Sequence, residues 1–129
     1  KIRRWSAAPE LPGALEFADV CRSKGILPAL AHTNAVYDEI KMGVAHGYTL
    51  ATHLYSAMSG LTRRNGFRLA GAIEASLLLD EIDVEVIADG VHLPEALLKL
   101  IVKIKGREKI TLVTDAMRAA GTQVSSSFL

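Results

Sequence analysis

The segment ILPALAHTNAVYDEIKMGVAHGYTLATH (26–53) decides the fold class of this chain. Two short apolar runs, 26–31 and 48–52, are bounded by turn residues, which is typical of buried strands. The residues between them have the apolar spacing of a helix. A strand, a helix and a second strand in succession predict parallel pairing, in which the carboxyl ends of the strands lie at the same edge. His32 and His53 directly follow the two runs, so we expect both at that edge.

The same alternation of strands and helices extends over the rest of the chain. Further strands are predicted at 3–8, 84–88 and 110–114, and helices at 13–24, 35–46, 69–81 and 93–106. About five strands fit, whereas an eight-stranded β/α barrel needs roughly 250 residues. The predicted fold class is therefore α/β with about five parallel strands, as an open sheet or as part of a larger barrel.

The composition excludes several classes of protein. Fifteen basic and 14 acidic residues give a net charge of +1, which supplies no electrostatic reason for binding nucleic acid or a membrane surface. The apolar runs are far shorter than the roughly 20 residues that a membrane helix needs. The single cysteine, Cys21, is expected on the apolar face of a helix. One cysteine forms no internal disulfide, which favours a reducing, cytoplasmic location.

His32 and His53 are candidate metal ligands because neutral imidazole binds zinc, iron and related ions. Two histidines at neighbouring strand ends could share one ion with a third, carboxylate ligand and water. A single such histidine would more often be structural. Glu10, at the end of the first predicted strand, could bind a metal or make a supporting contact around it. His46 closes a helix before Gly47 and is expected to face solvent.

Two further strand ends carry acidic residues. Asp115 follows the run 110–114, and a carboxylate there could take a proton from an attacking water and return it to a leaving group. It could also cap the next helix. Asp89 follows 84–88 and is expected to be a turn or capping residue. His92, three residues on, could polarise a substrate carbonyl or hold a sugar hydroxyl.

The stretch SGLTRRNGFR (59–68) interrupts the periodic pattern. Its two glycines and three arginines predict a loop that follows a strand end. Arginine side chains suit phosphate groups, although a solvated surface loop is the alternative.

Four motifs in order, AHTNA (31–35), THLYSAM (52–58), VIADGVH (86–92) and LVTDAM (112–117), resemble N-acetylglucosamine-6-phosphate deacetylases of the amidohydrolase superfamily. The resemblance runs from about residue 7 to residue 121. It implies that residues 1–121 are the C-terminal part of a catalytic TIM (β/α)8 barrel, covering roughly strands four to eight. Residues 122–129 form an unpatterned tail.

The resemblance also implies an activity: metal-dependent hydrolysis of the acetamide of N-acetylglucosamine 6-phosphate to glucosamine 6-phosphate and acetate. It implies a divalent ion, with zinc favoured over iron or manganese, and a homodimer. Residue by residue, it assigns metal binding to His32 and His53, acid/base catalysis to Asp115, and substrate contacts to Ser56, Ala57, Arg64 and His92.

The sequence departs from the family pattern at three points. The family usually has asparagine where Ser56 stands, and the arginine loop differs from the commoner HREPG form. The glutamate metal ligand of the family, in a segment resembling LEGP, has no counterpart here, and Glu10 matches a different position. We therefore expect these 129 residues to be inactive by themselves.

Three other functions remain open at the level of sequence. The substrate could be another N-acetyl amino-sugar phosphate, such as N-acetylgalactosamine 6-phosphate. The chain could be a non-catalytic α/β segment in which the histidines cap and pack. It could also belong to a protein that senses a phosphosugar without hydrolysing it.

Overall fold

The computed structural model describes residues 1–123, and the predicted tail at 122–129 lies largely outside them. In chain order the elements are β1 (Arg4–Ala7), α1 (Ala14–Ser23), β2 (Leu27–Leu30), α2 (Tyr37–Ala45), β3 (Leu50–Ala51), β4 (Thr62–Arg64), β5 (Phe67–Leu69), α3 (Ala72–Leu78), β6 (Asp83–Ile87), α4 (Glu95–Lys105), a 3-10 turn (Arg107–Lys109) and β7 (Ile110–Val113). Within the described residues, no helix is both long enough and apolar enough to cross a membrane.

Five of the strands form one parallel sheet in the order β1-β2-β3-β6-β7. Neighbours in the sheet follow one another along the chain, so the strand order never reverses. Crossovers between parallel strands are right-handed, and an order without reversal therefore places all the helices on one face. A doubly wound sheet would reverse its order and carry helices on both faces. The predicted α/β fold of five parallel strands is confirmed, with the topology of a β/α-barrel segment.

The hydrophobic core lies between the helices and the outer face of the sheet. The register pairs Leu30 with Ala51 and Ala51 with Val84, so these side chains form one layer on that face. The buried residues of the helices that pack against this layer include Ala18, Ile40, Ala75, Leu77 and Ile101. Cys21 is also buried, as its helical spacing predicts.

Helix boundaries differ from the predictions by one to three residues, and the cause is capping. Glu39 accepts a hydrogen bond from the backbone N–H of Val36 at 2.8 Å, so α2 begins after Val36 and not at residue 35. Pro94 is the N-cap of α4, so this helix begins at Glu95 and not at residue 93. Such shifts are common because helix ends depend on which side chain satisfies the free amides.

The arginine-rich stretch 59–68 is not an irregular loop, and that prediction is wrong. It contains an antiparallel hairpin in which Arg63 pairs with Arg68 and Arg64 pairs with Phe67. Asn65 and Gly66 both have positive φ, 51° and 85°. Two successive left-handed residues are the signature of a type I′ turn, for which Asn-Gly is a preferred pair.

Gly71 allows a close approach that fixes the start of α3. A Cβ atom at this position would lie 2.5 Å from the carbonyl oxygens of Gly60 and Ser59. The φ of Gly71 is −98°, which any residue can adopt, so the requirement for glycine is one of space. The contact joins the segment after β3 to α3.

We expect Gly71→Ala to lower the free energy of unfolding by about 2 kcal/mol, because the obstructing atoms are backbone and cannot move aside easily. Urea denaturation of both forms measures the difference. Gly60→Ala is the matched control, since its Cβ would meet only side-chain atoms at 3.5 Å and 3.7 Å. Equal losses in the two variants would contradict a specific contact at Gly71.

Candidate active site

The side chains of His32 and His53 meet at the carboxyl edge of the sheet. Their Nε2 atoms are 3.1 Å apart, and the rings stack with centroids 5.0 Å apart and an interplanar angle of 29°. His53 is 7% exposed, so one partner of the pair is buried. The structure therefore brings together the two residues that the sequence selects as metal ligands.

A shared backbone conformation produces this meeting. His32 and His53 lie two residues beyond the ends of β2 and β3, with φ of 47° and 35°. Asp115 occupies the same position beyond β7 and has a φ of 47°. Left-handed conformations are uncommon for residues other than glycine and cost of order 1–3 kcal/mol each, so they tend to cluster at functional sites. Asp89, two residues beyond β6, does not share this conformation, which separates it from the other three.

The histidine pair fits a divalent metal ion as two of its ligands. Zinc–nitrogen bonds of about 2.0–2.1 Å at a tetrahedral angle place two nitrogens roughly 3.3 Å apart. The observed separation of the Nε2 atoms is 3.1 Å, which also allows a hydrogen bond between one protonated and one bare nitrogen. Within residues 1–123, no group of three or more His, Cys, Asp or Glu side chains could hold a metal ion. Among the described residues, this histidine pair could therefore supply at most two ligands to one ion.

The second ring nitrogen of His53 has no hydrogen-bond partner among the described residues, although it is buried. Metal-binding histidines usually donate that N–H to a carboxylate, carbonyl or water, which fixes the ring and its tautomer. Burial of an unpartnered nitrogen costs free energy. Other contacts must therefore hold the His53 ring in place.

A cavity of about 510 Å³ lies on the concave face of the sheet beside His53. Asp115 lines this cavity together with Thr52 and the β1 residue Arg4. Glu85 of β6 also lines it and pairs with Arg4. A carboxylate and an imidazole that face one cavity are suited to general acid/base chemistry.

Asp89 and His92 form a closed turn after β6. The Asp89 carboxylate accepts hydrogen bonds from the backbone N–H groups of Val91 and His92, both at 2.9 Å, and from His92 Nδ1 at 2.8 Å. The turn role predicted for Asp89 agrees with these bonds, but the carboxylate also orients His92. Because an ionised carboxylate only accepts, Nδ1 carries the proton and Nε2 points away from Asp89.

The segment directly after β3 contains two of the four predicted substrate contacts, Ser56 and Ala57. Ser56 donates its backbone N–H to the His53 carbonyl at 2.9 Å, which closes a tight turn. Ala57 follows with a φ of 50°. The hydroxyl of Ser59 then donates to the Ala35 carbonyl at 2.5 Å and accepts from Ala72 N–H at 2.9 Å. Ser59 thus ties this segment to the one after β2.

Glu10 supports the site without facing the histidines. Its carboxylate accepts a hydrogen bond from the Thr33 hydroxyl at 2.6 Å and from the Asn34 N–H at 2.7 Å. These bonds fix the two residues that follow His32. These contacts agree with the supporting role, one of the two that the sequence leaves open.

The last predicted site residue, Arg64, is exposed. Arg64 lies on the β4–β5 hairpin, and successive residues of a strand point to opposite faces. Arg64 therefore lies on one face of the hairpin, and the cross-strand pair Arg63 and Arg68 lies on the other. His46 caps α2, contacts Asp19 at 2.9 Å and is partly exposed, as predicted.

Two charged residues that line the cavity are absent from the predicted site residues. Arg4 and Glu85 carry opposite charges on β1 and β6 and form an ion pair. Glu85 falls within the apolar run VEVIA, and Arg4 falls in a segment with several basic residues. Glu85 could have been recognised from the sequence, because a charged residue inside a buried strand needs a partner of opposite charge or a hydrogen bond.

Fold and site together define a β/α-barrel segment with an enzyme-like site at the carboxyl ends of its strands. No family model matches the chain. It is 38% identical over 121 residues to an N-acetylglucosamine-6-phosphate deacetylase of Vibrio furnissii, covering 94% of this chain and 29% of that protein. It is 32% identical over 120 residues to an N-acetylgalactosamine-6-phosphate deacetylase of Escherichia coli O157:H7, covering 93% and 30%.

Solved structures agree with these relatives. The chain matches a mutant N-acetyl-D-glucosamine-6-phosphate deacetylase of Mycobacterium smegmatis, solved in complex with N-acetyl-D-glucosamine-6-phosphate, with a TM-score of 0.85 and 35% identity. The match covers 93% of this chain and 30% of that one. Over the segment that it spans, the chain is similar to N-acetylglucosamine-6-phosphate deacetylases. It spans about 30% of the length of the curated relatives that it matches.

The hydrogen bonds to Asp89 predict a measurable titration. They lower the pKa of its carboxyl from 3.8 to about 2, and the largest causes are the backbone N–H groups of His92 and Val91, followed by the His92 imidazole. Because the pKa in the fold is depressed, the stabilisation is complete above pH 4. It is lost as the pH falls through about 2.

Carbon-detected NMR of the Asp89 carboxyl should therefore give a midpoint near pH 2. In His92→Ala we expect the pKa to rise only part of the way toward 3.8, because the backbone donors remain. Asp19, whose carboxylate contacts His46, serves as the comparison carboxyl in the same spectra. A full return of the Asp89 pKa to 3.8 in His92→Ala would show that the imidazole alone causes the shift.

Proposed function

We propose that the enzyme containing this segment hydrolyses the acetamide of N-acetylglucosamine 6-phosphate to glucosamine 6-phosphate and acetate. The observation that carries the proposal is the His32–His53 pair, with Nε2 atoms 3.1 Å apart at adjacent strand ends. The names of the relatives support this substrate class, and one solved relative is in complex with that sugar phosphate. The geometry of the pair alone would fit many hydrolases.

His32 and His53 would hold a divalent ion, with zinc favoured and iron or manganese as alternatives. The chemistry that such an ion supplies when bound is polarisation of the amide carbonyl and acidification of water. Neither histidine has another strong partner within the described residues, so both are free to act as ligands. A further carboxylate ligand is needed, and we propose that it comes from outside residues 1–123.

Asp115 would move the proton in this reaction. Amide hydrolysis removes a proton from the attacking water and delivers one to the departing nitrogen, and a single carboxylate can do both in turn. Asp115 faces the cavity that His53 also lines. Like the two histidines, Asp115 lies two residues beyond the end of its strand and has a left-handed conformation.

His92, Ser56 and Ala57 would contact the substrate. With His92 Nδ1 held by Asp89, the Nε2 atom can accept from a sugar hydroxyl when the ring is neutral. When the ring is charged, the same atom can donate to the acetyl carbonyl. Ser56 can donate or accept through its hydroxyl, while Ala57 offers only its backbone groups.

Because residues 1–123 contain two histidine ligands and no group of three metal-binding side chains, we propose that these 129 residues do not catalyse the reaction alone. In the intact enzyme we propose a homodimer in the cytoplasm.

The second candidate substrate is N-acetylgalactosamine 6-phosphate. The Escherichia coli O157:H7 relative favours it, since that protein matches the chain over a similar length. Comparison of kcat/KM for the two sugar phosphates separates the candidates.

In the intact enzyme we expect His32→Ala and His53→Ala to lose bound metal and activity together. Asp115→Asn should retain metal while kcat falls by about 100-fold to 10,000-fold, because only the proton transfer is removed. Metal content by mass spectrometry and acetate release measure the two effects separately.

His46→Ala is the matched control, because His46 is a partly exposed histidine that contacts Asp19 on the helical side. It should leave metal content and kcat unchanged. Full metal content and activity in both His32→Ala and His53→Ala would overturn the proposed site and leave a packing role for these histidines. Tight binding of the sugar phosphate with no turnover in the unmodified enzyme would favour a sensor.

The hairpin geometry gives a sharp test of the phosphate contact. If Arg64 binds the phosphate, Arg64→Ala should raise KM for the phosphorylated sugar about 10-fold to 100-fold, which is the value of a hydrogen bond to a charged group. Unphosphorylated N-acetylglucosamine should be unaffected. Arg63→Ala is the control, since Arg63 points to the opposite face. The reverse pattern would assign the phosphate to the face of Arg63 and Arg68.

A further inference from the structure

One ion pair crosses the concave face of the sheet. Arg4 on β1 contacts the carboxylate of Glu85 on β6. The Glu85 side chain is 6% exposed, and Arg4 is 40% exposed. A buried carboxylate is costly unless a charged or hydrogen-bonded partner compensates it. Arg4 is the partner that the structure provides.

The pair joins strands that are not neighbours. Between β1 and β6 lie β2 and β3, which are the two strands that end at His32 and His53. Three strand spacings of about 4.8 Å separate β1 from β6 along the sheet, or about 14 Å in all. Side chains stand roughly perpendicular to a sheet, so residues this far apart meet only where the sheet curves toward them. The ion pair therefore bridges the first and last of four strands in a curved part of the sheet, β1, β2, β3 and β6.

The backbone of Glu85 is also linked directly to the site. Its carbonyl accepts a hydrogen bond from the Leu54 N–H at 2.8 Å. Leu54 follows His53, whose φ of 35° is a left-handed conformation that needs support. Displacement of β6 would therefore act on the turn that aims the His53 ring. Within the described residues, the Nδ1 atom of the His53 ring has no hydrogen-bond partner.

We propose that the Arg4–Glu85 ion pair is a positioning element: it holds the curvature of the four strands and so sets the separation of the His32 and His53 imidazoles. The inference deepens the proposed function, because it rests on the metal role of the two histidines. Both ends of the arc are fixed by opposite charges, and both histidine strands lie within it. A change in curvature alters the spacing of the strand ends, where the rings meet.

The test uses the intact enzyme that contains this segment, labelled with ¹³C-histidine. Glu85→Gln keeps the shape of the side chain and removes its charge. We expect the ring signals of His32 and His53 to shift, because stacked rings 5.0 Å apart are sensitive to their separation. Co²⁺ binding should weaken about 10-fold to 100-fold, as for other contacts that orient metal ligands. The exchanged pair, Arg4→Glu with Glu85→Arg, should restore both readouts toward their original values.

Asp83→Asn is the matched control. Asp83 lies on the same strand as Glu85 and pairs with Lys109 at 3.1 Å, outside the arc that contains β2 and β3. This variant should leave the histidine signals and Co²⁺ binding unchanged. If Glu85→Gln does not fold, Arg4→Lys preserves the charge and should give a smaller shift of the same ring signals.

Unchanged ring signals in a folded Glu85→Gln or Arg4→Lys variant would overturn the positioning role, whatever the metal data show. So would equal shifts in Asp83→Asn. Failure of the intact enzyme to bind Co²⁺, with both histidines present, would count against the proposed metal function. The ring signals would still decide the positioning role, so the two failures are distinguishable.

Discussion

The parallel register between β2 and β3 is the constraint on which the site depends. Leu30 pairs with Ala51, and His32 and His53 each lie two residues further along. The two histidines are therefore at the same height in the sheet. A slip of one residue would displace one histidine by about 3.3 Å along the strand and turn its side chain to the other face. The 3.1 Å separation of the ring nitrogens follows from this pairing.

The left-handed backbone conformation of His32 and His53 brings their side chains into contact. His32, His53 and Asp115 adopt left-handed conformations at equivalent positions, at a cost that the surrounding hydrogen bonds must offset. Ser56 N–H bonds to the His53 carbonyl, and Ser59 N–H bonds to the Thr33 carbonyl. Glu10 also accepts hydrogen bonds from Thr33 and Asn34, the two residues after His32. Together these bonds hold the ends of β2 and β3 close to each other.

The elements of the fold could be predicted because their signals are local. Apolar runs and helical spacing lie within short windows, and the five parallel strands occur where those signals predict them. The hairpin was not predicted because its strands are short and mostly exposed, so they have no alternation of apolar and polar residues. Its one local signal was Asn65-Gly66, which specifies a type I′ turn by backbone conformation and not by hydrophobicity.

The sequence by itself determined the alternation of strands and helices and the chemical types at each strand end. It did so because periodicity and turn chemistry act between residues that are close in the chain. Only the tertiary structure decided that the rings of His32 and His53 meet and that Arg4 meets Glu85. The last pair is separated by 81 positions, and its contact exists because the sheet curves. Register and curvature arise from the packing of the whole sheet, which no short window of sequence contains.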